Sequence, residues 1–342
     1  MTNLWRGAAA LAGAVLGGLV WSLPASSGAA ADCTGIDLVE KLRAENPQDY
    51  AHLLEEADKI PNGKAIFWRI DPGKGIAPSW LLGTIHISDP RVNDLPAPVR
   101  DAFDKASSLA LEINNLSKPN LLAGKLARIR HLYTMPSGQT LRDYLTKEEI
   151  DRIVELQPFH GTMHVEAMVR LQPWFIWIAI SIPHCERVNL KAGKKALDAR
   201  LEADALKAGK TVYGLETMRS QFEVLASIDM QDQVKNLKMT LRHLELGRNA
   251  FITTVNLYLA RRMDIGSAMT KLMSRQAGIS DAETERVMTK LVDDRNITQF
   301  EAAQPLIEAG NSFIAVGALH LPGKQGLVEK FKQAGYTVTP VN

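Results

Sequence analysis

The sequence predicts an α/β (α+β) fold, a central mixed sheet built from two similar halves with strand-Gly-x-x-His ends, flanked by many helices and a large helical insertion. Three observations lead there. Short apolar runs of strand length stand near both ends of the chain, at Trp80-Leu81-Leu82-Gly83 and at Ser312-Phe313-Ile314-Ala315-Val316-Gly317. Each run closes on the same phrase, Gly-x-x-His, ending in His86 and in His320. Between them lie long segments with apolar residues at helical rather than alternating spacing.

Length and composition set the frame. A chain of 342 residues buries a large core, as one big domain or two interleaved halves. Its 46% hydrophobic and 23% charged residues are those of a soluble globular protein, neither a disordered chain nor a multispan membrane protein. Lys and Arg (40) exceed Asp and Glu (38) by two, and no basic run forms a patch, so nucleic-acid binding has no compositional basis.

The elements follow in order. Residues 1–31 have the pattern of a signal peptide: Arg6 is the only charge, Gly7 to Leu23 is apolar or small, and Ala29-Ala30-Ala31 fits a cleavage site. A mature chain from Asp32, comprising residues 32–342 as one domain, is expected, with an uncleaved N-terminal anchor as the alternative. Asp32 stands where a lipoprotein signal needs a small residue, which disfavours lipid attachment. Either form exports the rest to a periplasmic or secreted location. Two cysteines in an exported chain then predict one disulfide, Cys33 to Cys185, which should stabilise by roughly 4 to 5 kcal/mol in the chain-entropy model.

Ile36 to Lys59 has helical spacing, Asn62-Gly63 a turn, and Ala65 to Ile70 a strand pattern. The Trp80 strand, a helix over Ala97 to Lys105 and a strand over Ser107 to Ile113 make a βαβ unit. From about 121 to 195 the chain is a helical insertion broken by Pro136, Pro158, Pro173 and Pro183. Its most apolar piece, Trp174 to Ile182, is too short to span a bilayer and suits a core-facing helix or hairpin. Ala196 to Ala208 is an amphipathic helix with Gly209 at its C-cap, followed by a strand from Thr211 to Glu216. A second helical insertion spans about 221 to 306, with Gly247, Gly266 and Gly278 expected in loops and its methionines in the core. Strand Ser312 to Gly317, helix Gly326 to Ala334 and strand Tyr336 to Val341 end the chain.

The carboxyl ends of α/β strands are where such folds build ligand sites, and glycine there permits a turn or a close approach. Two Gly-x-x-His phrases on matching strand ends therefore carry weight that one would not. Each remaining strand end adds a carboxylate, Glu112 and Glu216, and a buried carboxylate needs a partner. Two imidazoles and one carboxylate suit a catalytic Zn, Mn or Fe site, and a second carboxylate could accept a proton from water. The alternatives are histidines that bind only loop backbone and, for Glu216, a cap on the helix entered at Thr217. His160 and His164 stand i, i+4, but Gly161 occupies the place where a zincin needs Glu, so a surface pair is expected. Asp89 reads as a turn or N-cap residue. No nucleophile elbow, dinucleotide loop, Walker loop or Cys-x-x-Cys is present.

These residues together resemble the TraB/GumN (TraB/PrgY/GumN, Tiki-like) family over nearly the whole mature chain. The resemblance is carried by Trp80 to His86 with Ser88-Asp89-Pro90-Arg91, Glu112, Leu197-Asp198, Gly214 to Thr217 with Gln221, Arg295-Asn296, and Val316 to Leu321 with Gly323 and Gly326-Leu327. It implies His86 and His320 as metal ligands, Glu112 as third ligand or base, and Arg295 as a polar helper that stabilises an oxyanion or pairs with Glu112. It also implies a metal-dependent hydrolase, with Zn or Mn, acting on peptide or related amide bonds, as in Tiki-type ectodomains. The wider relatives, including haem-binding ChaN-like proteins, give the alternative of a haem-, metal- or peptide-binding envelope protein without turnover. The GumN name gives a third reading, a non-catalytic envelope component linked to polysaccharide export. Oligomeric state and substrate are not legible.

Overall fold

The structure is a computed structural model and describes residues 31–156, 159, 163–276 and 278–341. The expected signal segment, save Ala31, and His160 of the histidine pair lie outside the described residues. Six strands form one sheet: β1 (Phe67–Asp71), β2 (Ser79–Thr84), β3 (Ser108–Leu111), β4 (Thr211–Gly214), β5 (Ser312–Gly317) and β6 (Thr337–Pro340), in the order β4-β3-β5-β2-β1-β6. The four strands from β4 to β2 are mutually parallel, and β1 is antiparallel to both β2 and β6. The sheet is therefore mixed, as expected, and the two Gly-x-x-His strands are central neighbours. Their register pairs Gly83 with Val316 and Thr84 with Gly317, one residue out of step with the sequence repeat.

Both faces of the central strands are covered, which is why they read as continuous apolar runs rather than as an alternation. Leu82, Leu109, Leu111, Phe313 and Ala315 point to one layer, where they meet α3 (Ala97–Lys105) and α8 (Leu197–Lys207). Leu81, Ala110, Ile314 and Val316 point to the other, against α14 (Asp294–Ala309) and α15 (Leu327–Gln333). The N-terminal helices α1 (Leu38–Glu45) and α2 (Pro47–Asp58) are split at Asn46, whose side chain caps α2 ahead of Pro47. They pack with α11 (Leu244–Leu259) and α12 (Met263–Gln276), where Met269 and Met273 are buried core residues as expected.

A separate apolar cluster holds the first helical insertion together with part of the second: α4 (Pro119–Arg128), α5 (Lys147–Leu156), α6 (Pro173–Ser181), α9 (Met218–Ala226), α10 (Met230–Arg242) and α13 (Asp281–Met288), while α7 (His184–Lys191), next after α6, buries polar side chains instead. The centre of the cluster is α6, a helix rather than a hairpin, with Trp174 and Trp177 each 1% exposed. Gly247 and Gly266 correct an expectation, since both sit inside helices, α11 and α12. Of the three glycines expected in loops only Gly278 is in one, with φ +77°. Tertiary packing there outweighs the modest helix penalty of glycine.

Arg187 closes this cluster at two helix ends. Its guanidinium donates to Leu156 O at the end of α5 (3.0 Å) and to Ile182 O, the C-cap of α6. Among the described residues no carboxylate pairs with it, so helix dipoles and carbonyls compensate its charge, while burial holds its pKa below the usual value. Arg187→Met is expected to destabilise the protein by about 2 kcal/mol, since two buried carbonyls lose a charged donor. Urea denaturation checks this, and a midpoint equal to wild type would contradict it.

Cys33 and Cys185 are joined, with Cα atoms 5.3 Å apart. The bridge ties the segment before α1 to α7, 152 residues away in sequence.

Candidate functional site

The site forms at the carboxyl edge of the four parallel strands. From β2 the chain runs through Ile85 to His86, and from β5 through one 3-10 turn, Ala318–His320. Glu112 follows Leu111 at the end of β3, and Glu216 extends the ladder beyond β4, its N–H donating to Glu112 O at 2.7 Å. Because β2, β3 and β5 are adjacent, residues more than two hundred apart in sequence meet here.

The meeting point is one oxygen. His86 Nε2 lies 3.9 Å and His320 Nε2 3.5 Å from Glu112 Oε1, which also accepts the Gly317 N–H at 2.7 Å. Gly317 is required by crowding, since a Cβ there would stand 2.9 Å from Glu112 Oε1 and 3.7 Å from His86 Nε2. Gly83 serves the same purpose behind the site, where a Cβ would fall 2.9 Å from the Ala318 Cα. Neither has the positive φ that a turn would need, so both glycines mark close approach.

The outer nitrogen of each ring is anchored. His86 Nδ1 is 2.7 Å from Asp198 Oδ2, and Thr84 Oγ1 donates to Asp198 Oδ1 at 2.7 Å. His320 Nδ1 is 2.6 Å from Asn296 Oδ1, and the Asn296 amide is oriented by its own donation to Gln325 O. Each ring thus brings its Nε2 near Glu112 Oε1, and with the proton on Nδ1 a neutral ring offers the lone pair of that nitrogen to a cation. The two rings differ in charge preference. Burial opposes charge on His86, but the carboxylates of Asp198 and Glu112 outweigh it and lift the pKa to about 9. His320 has an amide in place of that carboxylate, so burial prevails over the pull of Glu112 and the pKa falls to about 3.

Behind Glu112 lies a buried ion cluster. Arg295 Nη2 is 2.5 Å from Glu112 Oε2 and 2.7 Å from Glu216 Oε2, its Nε donates to Glu216 Oε1, and its Nη1 donates to Leu291 O. Gln221 donates to both carboxylates, and Gln299 to Glu216. Burial alone would raise the Glu112 pKa, but Arg295, with help from both histidines and the Gly317 N–H, holds it well below the carboxylate range. Glu216 is no helix cap, because Thr217 and Ser220 cap α9. Arg295 pairs with both carboxylates and meets Glu112 at Oε2, whereas the two imidazoles stand at Oε1. Asp89 lies apart as the N-cap of the turn Pro90–Asn93, and His164 precedes the turn Val165–Met168.

The donor set suits a divalent cation in its chemistry. The carboxylates of Glu112, Glu216 and Asp198 outnumber Arg295 three to one in this buried cluster, an excess of negative charge that His86 meets by holding a proton and that a divalent cation would meet in that proton's place. Gln299 adds a second sign: it is 0% exposed, its Oε1 has no partner, and its Nε2 lies 3.5 Å from His320 Nε2. Among the described residues, however, no three His, Cys, Asp or Glu side chains form a ready-made ligand cage. The fit therefore rests on the donor types and their anchoring.

Asp198, Asn296 and Gln299 went unassigned in the sequence. Asp198 and Asn296 stand in the motifs Leu197-Asp198 and Arg295-Asn296, while Gln299 is announced only by its place one helical turn beyond Arg295.

A mixed α/β sheet with paired Gly-x-x-His strand ends and a buried His, Glu, Arg cluster defines the class of protein. The chain belongs to the TraB/PrgY/gumN family, whose model matches residues 66–340. It is 23% identical over 319 residues to "Metalloprotease TIKI2" of Danio rerio, covering 80% of this chain and 60% of that one. It is 23% identical over 317 residues to "Metalloprotease TIKI homolog" of Amphimedon queenslandica, covering 79% and 60%. A third relative, an uncharacterized protein of Treponema pallidum, is 22% identical over 180 residues, 52% of each chain. The chain thus spans about 60% of the length of the two metalloproteases it matches. No solved structure matches it.

Proposed function

We propose that this protein is an exported metal-dependent hydrolase that cuts peptide or related amide bonds. The observation that carries the reading is the pair of anchored imidazoles whose Nε2 atoms face one Glu112 oxygen. His86, His320 and Glu112 would hold the ion, Zn or Mn, which when bound supplies Lewis-acid activation of water and of the scissile carbonyl. Asp198 and Asn296 fix the tautomer and direction of the two rings. Arg295 acts through Glu112, keeping it ionised and oriented, while Glu216 holds the Arg295 guanidinium in place; both are positioning residues rather than contacts to substrate. His86, whose side chain is 9% exposed against 0% for His320, is the side from which a substrate would reach the centre. Export is supported by the Cys33–Cys185 disulfide, which needs an oxidising compartment. Among the described residues no helix is long and apolar enough to cross a membrane.

Elemental analysis of protein purified from the periplasm without chelator, followed by a peptide-library digest, tests the reading. Bound Zn or Mn with chelator-sensitive cleavage is expected. Both should vanish together in His86→Ala and in His320→Ala and persist in His160→Ala, while Asp198→Asn should lose roughly 10- to 100-fold in metal affinity or activity. A Soret band, or metal retained by both histidine variants, would overturn the proposal.

A further inference from the structure

The helix α7 buries Glu186, Arg187 and Asn189 where a core helix would bury apolar residues. Arg187 holds the ends of α5 and α6. Glu186 has a different target: 2% exposed, it accepts the Ser88 N–H at 2.6 Å and the Ser88 hydroxyl at 2.9 Å. Among the described residues no Lys or Arg pairs with Glu186, so its two bonds to Ser88 are what compensate a buried carboxylate.

Ser88 stands two residues beyond His86, and the loop between them is gripped on both sides. Thr84 Oγ1 and His86 Nδ1 are bound by Asp198, Ile87 O accepts the Leu197 N–H at 3.3 Å, and Ser88 is bound by Glu186. One stretch of chain, from Glu186 to Asp198, is the mould against which the His86 loop is set. Its start is fixed covalently, since Cys185, next to Glu186, is bonded to Cys33.

We propose that Glu186 is a positioning residue of the metal centre, holding through Ser88 the backbone just after His86 while Asp198 holds the ring. This takes His86 as a metal ligand and so rests on the hydrolase reading. Asp198 fixes one ring nitrogen but not the path of the chain that carries the ring, and a ligand must stand within about 0.5 Å of its place. Two charge-assisted bonds from one carboxylate, one to the backbone and one to the hydroxyl, fix both the position and the direction of Ser88.

The test uses the mature protein labelled at its histidine ring nitrogens and reads the Nδ1–H signals of His86 and His320, each assigned by its loss in the Ala variant, together with Zn affinity. Glu186→Leu removes both acceptors at similar size. It is expected to displace the His86 signal while leaving that of His320 in place, and to weaken Zn binding about tenfold, the lower end of the loss when a group supporting a metal ligand is removed. Glu186→Gln still accepts from the Ser88 N–H and can donate to its hydroxyl, so it should restore the His86 signal and most of the affinity. Ser88→Ala, which removes only the hydroxyl, should displace the same signal less, and it decides the matter if Glu186→Leu does not fold. An unchanged His86 signal in the deciding variant, equal displacement by Leu and Gln, or both ring signals moving together would overturn the proposal. Wild-type protein that binds no Zn would refute the hydrolase reading instead, and the His86 signal would still decide what Glu186 holds.

Discussion

Arg295→Met is expected to destabilise the protein by about 3 to 5 kcal/mol, the usual cost of removing one partner from a buried ion cluster. The substitution keeps length and apolar stem but removes the charge that stands 2.5 Å from Glu112 and 2.7 Å from Glu216. Both carboxylates are at least nine-tenths buried, so neither can turn to water without opening the sheet edge. Their charged forms then become the unfavourable ones. The variant should therefore regain stability as pH falls and they protonate, whereas the wild-type cluster, with Glu112 depressed, loses its contribution on acidification. Glu216→Gln added to Arg295→Met should recover part of the loss. Urea unfolding at two pH values measures all three, and an Arg295→Met midpoint within experimental scatter of wild type would show the cluster to be dispensable.

Opening the Cys33–Cys185 bridge is the second large effect. It closes a loop of 152 residues, and the chain-entropy model gives such a loop roughly 4 to 5 kcal/mol of stabilisation through the unfolded state. In a protein of this size that corresponds to a fall in Tm on the order of 10 °C. The Cys33→Ser, Cys185→Ser double variant should reproduce the effect of a reductant on wild type and should itself ignore reductant. Unfolding temperatures that do not change on reduction would mean that the bridge constrains little beyond the N-terminal segment.

The parts of this molecule that were legible in sequence are those specified by short-range pattern. The strands β2, β3 and β5 are buried on both faces, so their runs of Leu, Ile, Val and Phe announced them directly, and the repeated Gly-x-x-His placed both histidines at strand ends. Glu112 was legible as a carboxylate at the end of an apolar strand. Asp198 and Asn296 were not, because each acts across 112 and 24 residues of sequence through a contact no local pattern encodes. Arg295 was placed in the site only by resemblance, and its orientation, towards Glu112 Oε2 rather than the Oε1 where the imidazoles stand, is set by the docking of α14 on the sheet. The glycines show the same limit. At Gly317 the sequence left a turn or a close approach open and the structure shows close approach, whereas Gly247 and Gly266 look like loop residues until the packing of α11 and α12 is known.

The most direct test of the proposed centre is anomalous scattering from crystals of the mature protein loaded with Zn or Mn. One peak bounded by His86 Nε2, His320 Nε2 and Glu112 Oε1 is the predicted result, with Asp198 and Asn296 still holding the two Nδ1 atoms. A full-occupancy peak at other residues, or an unaltered His86–Glu112–His320 cluster under saturating metal, would contradict it.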